Sequence, residues 1–109
     1  MKTENKIQSE CYMWLHNSLP GLRGLLCYNL NNSKNKIDGA KNKALGVQAG
    51  RSDMVLYYQS KAYMLECKTP GGTQSDKQKE WEQLIKLHGF EYHIFRSLEE
   101  FQMIINSIL

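Results

Sequence analysis

Two apolar runs, "DMVLYY" at 53–58 and "KAYMLECK" at 61–68, are separated by only two residues. Runs of this length joined by so short a connection predict a β-hairpin, although neither connecting residue is a favoured turn former. The second run carries Glu66 and Lys68 and is stopped by "TPGG". Because side chains alternate along a strand, these two charges lie on one face of the predicted hairpin.

Apolar spacing and capping signals predict the elements on either side of the hairpin. A first helix runs from Thr3 to about Ser18, a strand covers 25–30, and a helix follows Ser75. A strand at 91–96 and a last helix complete the order α-β-β-β-α-β-α. A hairpin followed by a strand–helix–strand crossover predicts an α/β fold with a single mixed sheet flanked by helices.

The length of 109 residues suits one domain spanning 1–109. No apolar run approaches the roughly 20 residues of a membrane helix, and the polar start is unlike a signal peptide. We therefore expect no membrane association and a cytoplasmic location. The three cysteines form no C-x-x-C pattern, which favours reduced thiols in the core.

Positive charge is concentrated in one segment. Between positions 34 and 51 a single acid, Asp38, is opposed by five basic residues, a local net charge of +4: Lys34, Lys36, Lys41, Lys43 and Arg51. The segment is rich in Asn, Gly and Lys, which predicts a long exposed loop with room for one helical turn. Two interpretations stay open, a solvated surface loop and an arm that follows the phosphates of a nucleic acid.

The predicted hairpin also brings a second carboxylate to the charged pair. Asp53 begins the first strand, so antiparallel pairing places it close to Glu66 or Lys68. Two carboxylates about 4 Å apart repel by roughly 4 kcal/mol at an effective dielectric of 20, so they need a cation or a proton between them. A Mg²⁺ ion suits such a pair, and the set fits phosphodiester hydrolysis. The alternative is an ordinary solvated Glu-x-Lys pair.

Four short motifs occur in a fixed order along the chain: "GRSD" at 50–53, "ECK" at 66–68, "GG" at 71–72 and "QK" at 78–79. In this order they resemble the VRR-NUC family, a branch of the PD-(D/E)XK, restriction-endonuclease-like nucleases. The resemblance covers 46–101 and extends weakly to "ENKIQSEC". Ser52 stands where the family usually has proline, and "YNLNN" stands where many members have a His-x-Pro-Asn segment.

The resemblance implies roles for the residues of the hairpin and the following helix. Asp53 and Glu66 are expected to bind a metal together with the Cys67 carbonyl, and Lys68 is expected to be the catalytic lysine. Gln78 is expected to reach the site from its helix start, a role compatible with that of a capping residue.

The family also places an acid on the first helix. Glu10 is favoured here, because it lies among apolar residues on what should be the inward face, where an unpaired carboxylate is costly. Glu4 is the alternative, since its position at the helix N-terminus has an ordinary explanation.

The chain resembles the small stand-alone members of the VRR-NUC family, which are similar to phage-encoded junction resolvases. The resemblance implies a metal-dependent DNA endonuclease that uses Mg²⁺ or Mn²⁺ and acts on branched DNA in the manner of a Holliday-junction resolvase, in the host cytoplasm if the chain is phage-encoded. A homodimer is expected, since the hairpin tyrosines and five large apolar residues of the last helix offer an interface, with the alternative that the last helix simply belongs to the core. The alternatives are a nucleic-acid-binding module that does not cleave and a nuclease subunit of a larger repair or restriction assembly.

Overall fold

The computed structural model of the chain describes residues 2–29 and 36–109, and only the backbone at 36–38. The elements are α1 (Glu4–Ser18), a 3-10 helix (Pro20–Leu22), β1 (Leu26–Tyr28), α2 (Lys36–Ala44), β2 (Met54–Tyr58), β3 (Lys61–Cys67), α3 (Asp76–Leu87), β4 (Glu91–Phe95) and α4 (Leu98–Ile108). The predicted α/β fold with one mixed sheet between helices is confirmed. Helix α2 is additional to the predicted order.

Helix α2 lies in the basic segment, where the sequence predicts a loop with one helical turn. Its nine residues end in a hydrogen-bonded C-terminal motif. The Gly46 N–H donates to the Lys43 carbonyl (3.1 Å) and the Val47 N–H to the Asn42 carbonyl (3.0 Å). Gly46 has a φ of +101°, a conformation that suits glycine and closes the helix. The segment therefore forms a helix of nine residues where the sequence predicts only one helical turn.

The sheet has four strands in the order β1-β2-β3-β4. The pairs β1–β2 and β2–β3 are antiparallel, and β4 pairs with β3 in parallel after the crossover through α3. In this register Met54 lies opposite Leu65, and Glu66 lies beside Ile94. The last two residues of β3, Glu66 and Cys67, therefore pair with β4 on one side and extend past the start of β2 on the other.

The connection between β2 and β3 is the predicted two-residue turn. Tyr58 pairs with Lys61, and the two residues between them, Gln59 and Ser60, have φ angles of +48° and +67°. Positive φ at both positions defines a type I′ turn, whose twist matches that of the flanking strands. The turn forms here without glycine, because the paired strands impose its geometry.

Each face of the sheet is covered by different helices. The larger core lies under α1 and α4 and includes Leu15, Leu56, Phe95 and Phe101. A smaller cluster on the opposite face is covered by α3 and consists of Val55, Met64 and Tyr92, with Ala62, Trp81, Ile85 and Ile94 packed against it. The end of β3 that carries Glu66 faces this smaller, more open side.

Helix α4 belongs to the core of this chain rather than to the surplus apolar surface that the sequence predicts for a dimer. Phe101 and Ile105 are fully buried, and the other three large apolar residues pack against the core: Leu98, Ile104 and Ile108. Among the hairpin tyrosines, Tyr63 is buried and Tyr57 is half exposed. The composition of α4 therefore gives no support to an interface.

The cysteines depart in part from the predicted core positions. Cys11 and Cys67 are buried, whereas Cys27, on the edge strand β1, is exposed; all three are free thiols. Within residues 2–29 and 36–109, no helix combines the length and the apolar character needed to cross a membrane.

Candidate active site

The hairpin brings Asp53 to the end of β3. Asp53 directly precedes β2, and the pairing of Met54 with Leu65 places it across from Glu66. The Cys67 backbone N–H donates a hydrogen bond of 2.7 Å to Asp53 Oδ2. Beyond the last backbone pair, the two chain segments are thus joined by a side-chain hydrogen bond. This bond orients the Asp53 carboxylate toward the end of β3.

The Asp53 carboxylate occupies an electrostatically unfavourable position. Its pKa is raised, chiefly by burial, and the charges of Glu66 and Glu4 raise it further. The Cys67 N–H and the Lys68 ammonium act in the opposite direction but do not cancel the effect. A raised pKa means that the folded protein disfavours the negative charge here, so a cation bound beside Asp53 would be stabilised.

Glu66 is fully buried, and its two carboxylate oxygens have different surroundings. Oε1 accepts a hydrogen bond from the Tyr92 hydroxyl and a longer one of 3.5 Å from Gln74 Nε2. Oε2 is buried and has no hydrogen-bond partner in the described part of the chain. Buried polar atoms are nearly always paired, so this oxygen is a candidate position for a ligand or an ordered water. Burial and the bond to Glu66 raise the pKa of Tyr92, which keeps its hydroxyl a donor.

Lys68 is nearly buried and is held by the start of α3. Its Nζ donates to Gln78 Oε1 over 2.9 Å, and its backbone N–H donates to the Phe95 carbonyl over 3.0 Å. Gln78 Oε1 also accepts from the Ser75 N–H (2.8 Å), while the Ser75 hydroxyl accepts from the Gln78 N–H. Gln78 thus combines both predicted roles, because one oxygen closes the capping box and binds the lysine.

The turn before Asp53 packs directly on the first turn of α3. Gly50 has a φ of +82°, and a Cβ at this position would lie 2.3 Å from the Lys77 carbonyl oxygen and 2.8 Å from the Gln78 nitrogen. Only glycine permits this close approach of two backbone segments. Ser52, in place of the family's proline, is buried and donates from its hydroxyl to the Met54 carbonyl.

The structure does not support Glu10 as the acid that the first helix contributes. Glu10 forms an ion pair of 2.9 Å with Lys2, and it lines a pocket beside Pro70 and Leu98. Its carboxylate is thus paired, and the acids that raise the pKa of Asp53 are Glu66 and Glu4 rather than Glu10. The reason is helix phase: at about 100° per residue, Glu10 falls at the flank of the buried stripe formed by α1.

Glu4, the alternative, lies at the centre of that stripe and close to the end of β3. The Cys67 thiol donates to the Glu4 carbonyl oxygen over 3.4 Å, and the Glu4 charge contributes to the raised pKa of Asp53. The first turn of α1 therefore borders the candidate site, and the acid of α1 that lies close to Asp53 is Glu4 rather than Glu10.

The basic residues predicted to bind nucleic acid are only partly described. Lys34 lies outside the described residues, and of Lys36 only the backbone in α2 is described. Lys41 and Lys43 are exposed on α2, and Arg51 is half-buried in the turn before Asp53.

An open groove of about 670 Å³ runs between α2 and α3. Lys43 and Val47 line one side, and Lys77, Trp81 and Leu84 line the other. Since Lys77 directly precedes Gln78, one end of the groove lies beside the residue that holds Lys68.

The donor set suits a hard divalent cation with few protein ligands. In residues 2–29 and 36–109, no three or more His, Cys, Asp and Glu side chains are grouped to hold a metal ion. Two carboxylates, Asp53 and Glu66, are nevertheless sufficient for Mg²⁺, which keeps several waters. Burial raises the pKa of the Cys67 thiol to about 12, so this side chain stays protonated and only its carbonyl is available as a ligand.

Sequence reasoning missed the two residues that hold Glu66. Tyr92 occupies β4, where its apolar neighbours suggest only core packing, and Gln74 lies in the connection before α3. The predicted crossover could have indicated Tyr92, because it places β4 beside β3 and therefore brings residues of β4 close to Glu66. No local pattern points to Gln74.

Comparisons with known proteins support the fold. No family model matches the sequence, and there is no match among curated proteins. A solved structure described as a VRR_NUC domain protein superposes with a TM-score of 0.79 at 19% sequence identity, covering 98% of this chain and 88% of that one. At this identity the likeness concerns the fold alone, and it confirms the predicted VRR-NUC, restriction-endonuclease-like fold.

Proposed function

We propose that the chain is a metal-dependent endonuclease that hydrolyses phosphodiester bonds in DNA, with its site at Asp53, Glu66 and Lys68. The observation that carries this proposal is the buried, unpartnered Oε2 of Glu66 next to a second carboxylate whose pKa is raised. A solvated Glu-x-Lys pair would be exposed, whereas here Glu66 is fully buried and Lys68 is 7% exposed.

Asp53 and Glu66 are the side chains that would hold Mg²⁺ or Mn²⁺, with the Cys67 carbonyl as a third protein ligand. When bound, such an ion polarises the phosphoryl group and makes a water more acidic. The residues fit this role because Glu66 Oε2 has no partner among the described residues, and because burial, together with the charges of Glu66 and Glu4, disfavours the ionised form of Asp53. Glu4 adds negative charge at the rim, which strengthens the preference for a cation.

Lys68 would stabilise negative charge on the reacting phosphate. An ammonium has three N–H donors, and Gln78 Oε1 accepts one of them. The remaining donors are available to a phosphate oxygen or to the attacking water. Because Gln78 is itself fixed by the capping box, the ammonium is positioned before substrate binds, as electrostatic catalysis requires.

The α2–α3 groove is the proposed binding surface for the DNA backbone. Lys43 and Lys77 face it from opposite sides, and Trp81 and Leu84 add apolar surface on the α3 side. Glu80 also lines the groove and is paired with Lys77 over 3.6 Å, so a phosphate would have to compete with it for that lysine.

Gly50 packs against Lys77, which lines this groove, and lies three residues before Asp53, so the groove ends near the carboxylates. We further propose branched DNA as the substrate and a homodimer as the active form, because two matched nicks require two sites.

Cleavage is tested in single-turnover assays with labelled linear, flap and four-way DNA, in Mg²⁺, Mn²⁺ or EDTA. Lys68→Met removes the ammonium but keeps most of the stem, so we expect a loss of about 10²–10³-fold in rate. Lys61→Met, an exposed change at the start of β3, is the matched control and should cleave normally. Wild-type rates for Lys68→Met would refute the site. Binding of DNA with no cleavage in either metal would instead favour the non-cleaving module.

Binding in the groove is tested by salt titration. Replacing Lys43 and Lys77 with Gln should reduce the log–log salt slope by about 0.9 for each phosphate that is no longer neutralised, whereas Lys61→Gln in the hairpin should leave it unchanged. Sedimentation at micromolar concentration tests the dimer, and a monomer under cleaving conditions would contradict it.

A further inference from the structure

The Glu66 carboxylate has one oxygen that is engaged by the protein and one that is not. Tyr92 and Gln74 both donate to Oε1, while Oε2 has no partner among the residues described. A half-turn of the carboxylate only exchanges two equivalent oxygens, whereas a smaller rotation would break the bond to Tyr92. The hydrogen bonds therefore fix the plane of the carboxylate and leave one oxygen position, that of Oε2, for a ligand.

Tyr92 is well suited to fix that orientation. It is 7% exposed, and its ring packs edge-on against Trp81 with a centroid distance of 6.0 Å. Strand β4 places it beside Met64, two positions before the pair formed by Glu66 and Ile94. Its hydroxyl position is thus determined by the core under α3, independently of any bound ion.

Gln74 provides the second contact and is itself anchored. Its Nε2 donates to Glu82 Oε1 over 2.8 Å as well as to Glu66 Oε1 over 3.5 Å. Glu82 in turn forms an ion pair of 2.6 Å with Lys86. The amide of Gln74 therefore bridges helix α3 and the buried carboxylate, and it donates a second hydrogen bond to Oε1.

We propose that Tyr92 is a positioning residue that restricts Glu66 to binding a cation through Oε2 alone and thereby favours Mg²⁺ over Ca²⁺. Ca²⁺ accepts six to eight oxygens and often takes both oxygens of one carboxylate, whereas Mg²⁺ requires six ligands in near-ideal octahedral positions. An Oε1 occupied by Tyr92 and Gln74 disfavours two-oxygen binding. This inference rests on the proposed function, since it assumes that Glu66 binds the ion.

The test compares Tyr92→Phe with Tyr63→Phe by isothermal titration calorimetry with Mg²⁺ and, separately, with Ca²⁺. Tyr63 is also 7% exposed and lies in the same sheet, but it belongs to the core under α1 and α4. Loss of a hydrogen bond to a metal ligand typically lowers affinity by 10–100-fold. We expect Tyr92→Phe to weaken Mg²⁺ binding by about tenfold and Ca²⁺ binding much less, because Oε1 becomes available, and Tyr63→Phe to change neither.

An unchanged Ca²⁺-to-Mg²⁺ affinity ratio in Tyr92→Phe, including an equal loss for both ions, would overturn the inference. Wild-type protein that binds neither ion would overturn the proposed metal site as well, so the two failures are distinguishable. Circular dichroism melting checks folding. If Tyr92→Phe does not fold, Gln74→Met carries the test, since Gln74 is only half-buried. It should shift the ratio in the same direction by a smaller factor, and no shift would refute the proposal.

Discussion

Replacing Asp53 with Asn should stabilise the metal-free protein, although substitution of a partly buried residue usually destabilises. Asn keeps the size of the side chain and an oxygen that accepts from the Cys67 N–H. It removes only the negative charge that faces Glu66. The prediction follows from the proposal that the fold holds two carboxylates close to each other so that they can bind a cation.

The magnitude follows from the strand register. Side chains directly opposite each other on antiparallel strands have Cβ atoms about 5 Å apart, and Asp53 lies across from Glu66. Two unit charges at about 5 Å repel by roughly 3 kcal/mol at an effective dielectric of 20. Lys68 and the Cys67 N–H offset part of this repulsion. We therefore expect a net gain of about 1–2 kcal/mol in the free energy of unfolding near neutral pH.

The gain should depend on pH with a defined sign. The pKa of Asp53 is raised in the folded protein, chiefly by burial. The folded state therefore retains a proton that the unfolded chain has lost, and wild-type stability falls as pH rises from the ordinary aspartate pKa of 3.8 through the raised pKa of the folded state. The stability difference between Asp53→Asn and wild type should be small below this range and complete above it.

The assay is urea unfolding in EDTA and again in excess Mg²⁺. Saturation at about 100 times the dissociation constant stabilises wild type by about 2.7 kcal/mol. Asp53→Asn should lack this increment, so the order of stability reverses when metal is added. The matched control is Asp76→Asn in the first turn of α3, which should lose stability slightly, because it removes a charge that favours the helix N-terminus. An Asp53→Asn protein less stable than wild type in EDTA would refute the electrostatic reasoning, and equal stabilisation by Mg²⁺ would exclude Asp53 as a ligand.

Three further predictions concern the scaffold. Gly50→Ala should lower the free energy of unfolding by about 2–4 kcal/mol, because the new Cβ would meet the α3 backbone and φ is positive. Gly46→Ala has open space around it and should cost only the strain of a positive φ; urea unfolding measures both. Changing Gln59-Ser60 to Asn-Gly should stabilise the type I′ turn by about 1 kcal/mol, and an unchanged melting temperature would contradict its assigned geometry. Near pH 8, a thiol reagent should modify only Cys27 rapidly in the native protein, and fast modification of more than one thiol would disagree with the buried positions of the others.

The strands and flanking helices could be predicted because their signals are local. Alternation and run length indicate β2 and β3, and Ser75 with Gln78 identifies the start of α3 as a capping box. Helix α2 escapes prediction because Asn and Gly, which have weak helix propensity, are interspersed among its Lys and Ala residues, which favour a helix. Its end depends on the left-handed conformation of Gly46.

Within the site, contacts between residues of one hairpin could be predicted, whereas contacts with residues that are distant in sequence could not. Asp53 and Glu66 are joined by the hairpin register, which the length of the turn determines. Tyr92 reaches Glu66 across 26 positions and a parallel crossover, so no periodicity indicates its contact. The choice between Glu4 and Glu10 depends on helix phase, and a stripe through Ile7, Cys11 and Leu15 favours Glu4.

The parallel pairing of β4 with β3 has a consequence for how the protein is made. The contact between Asp53 and Cys67 spans 14 positions and can form as soon as the hairpin leaves the ribosome. The Tyr92 contact with Glu66 requires α3 to fold back and β4 to dock. A growing chain that has not reached Glu91 therefore contains both carboxylates and the lysine without the strand that orients them. Under the proposed function, we expect cleavage to be acquired only late in synthesis, after β4 has docked and oriented Glu66.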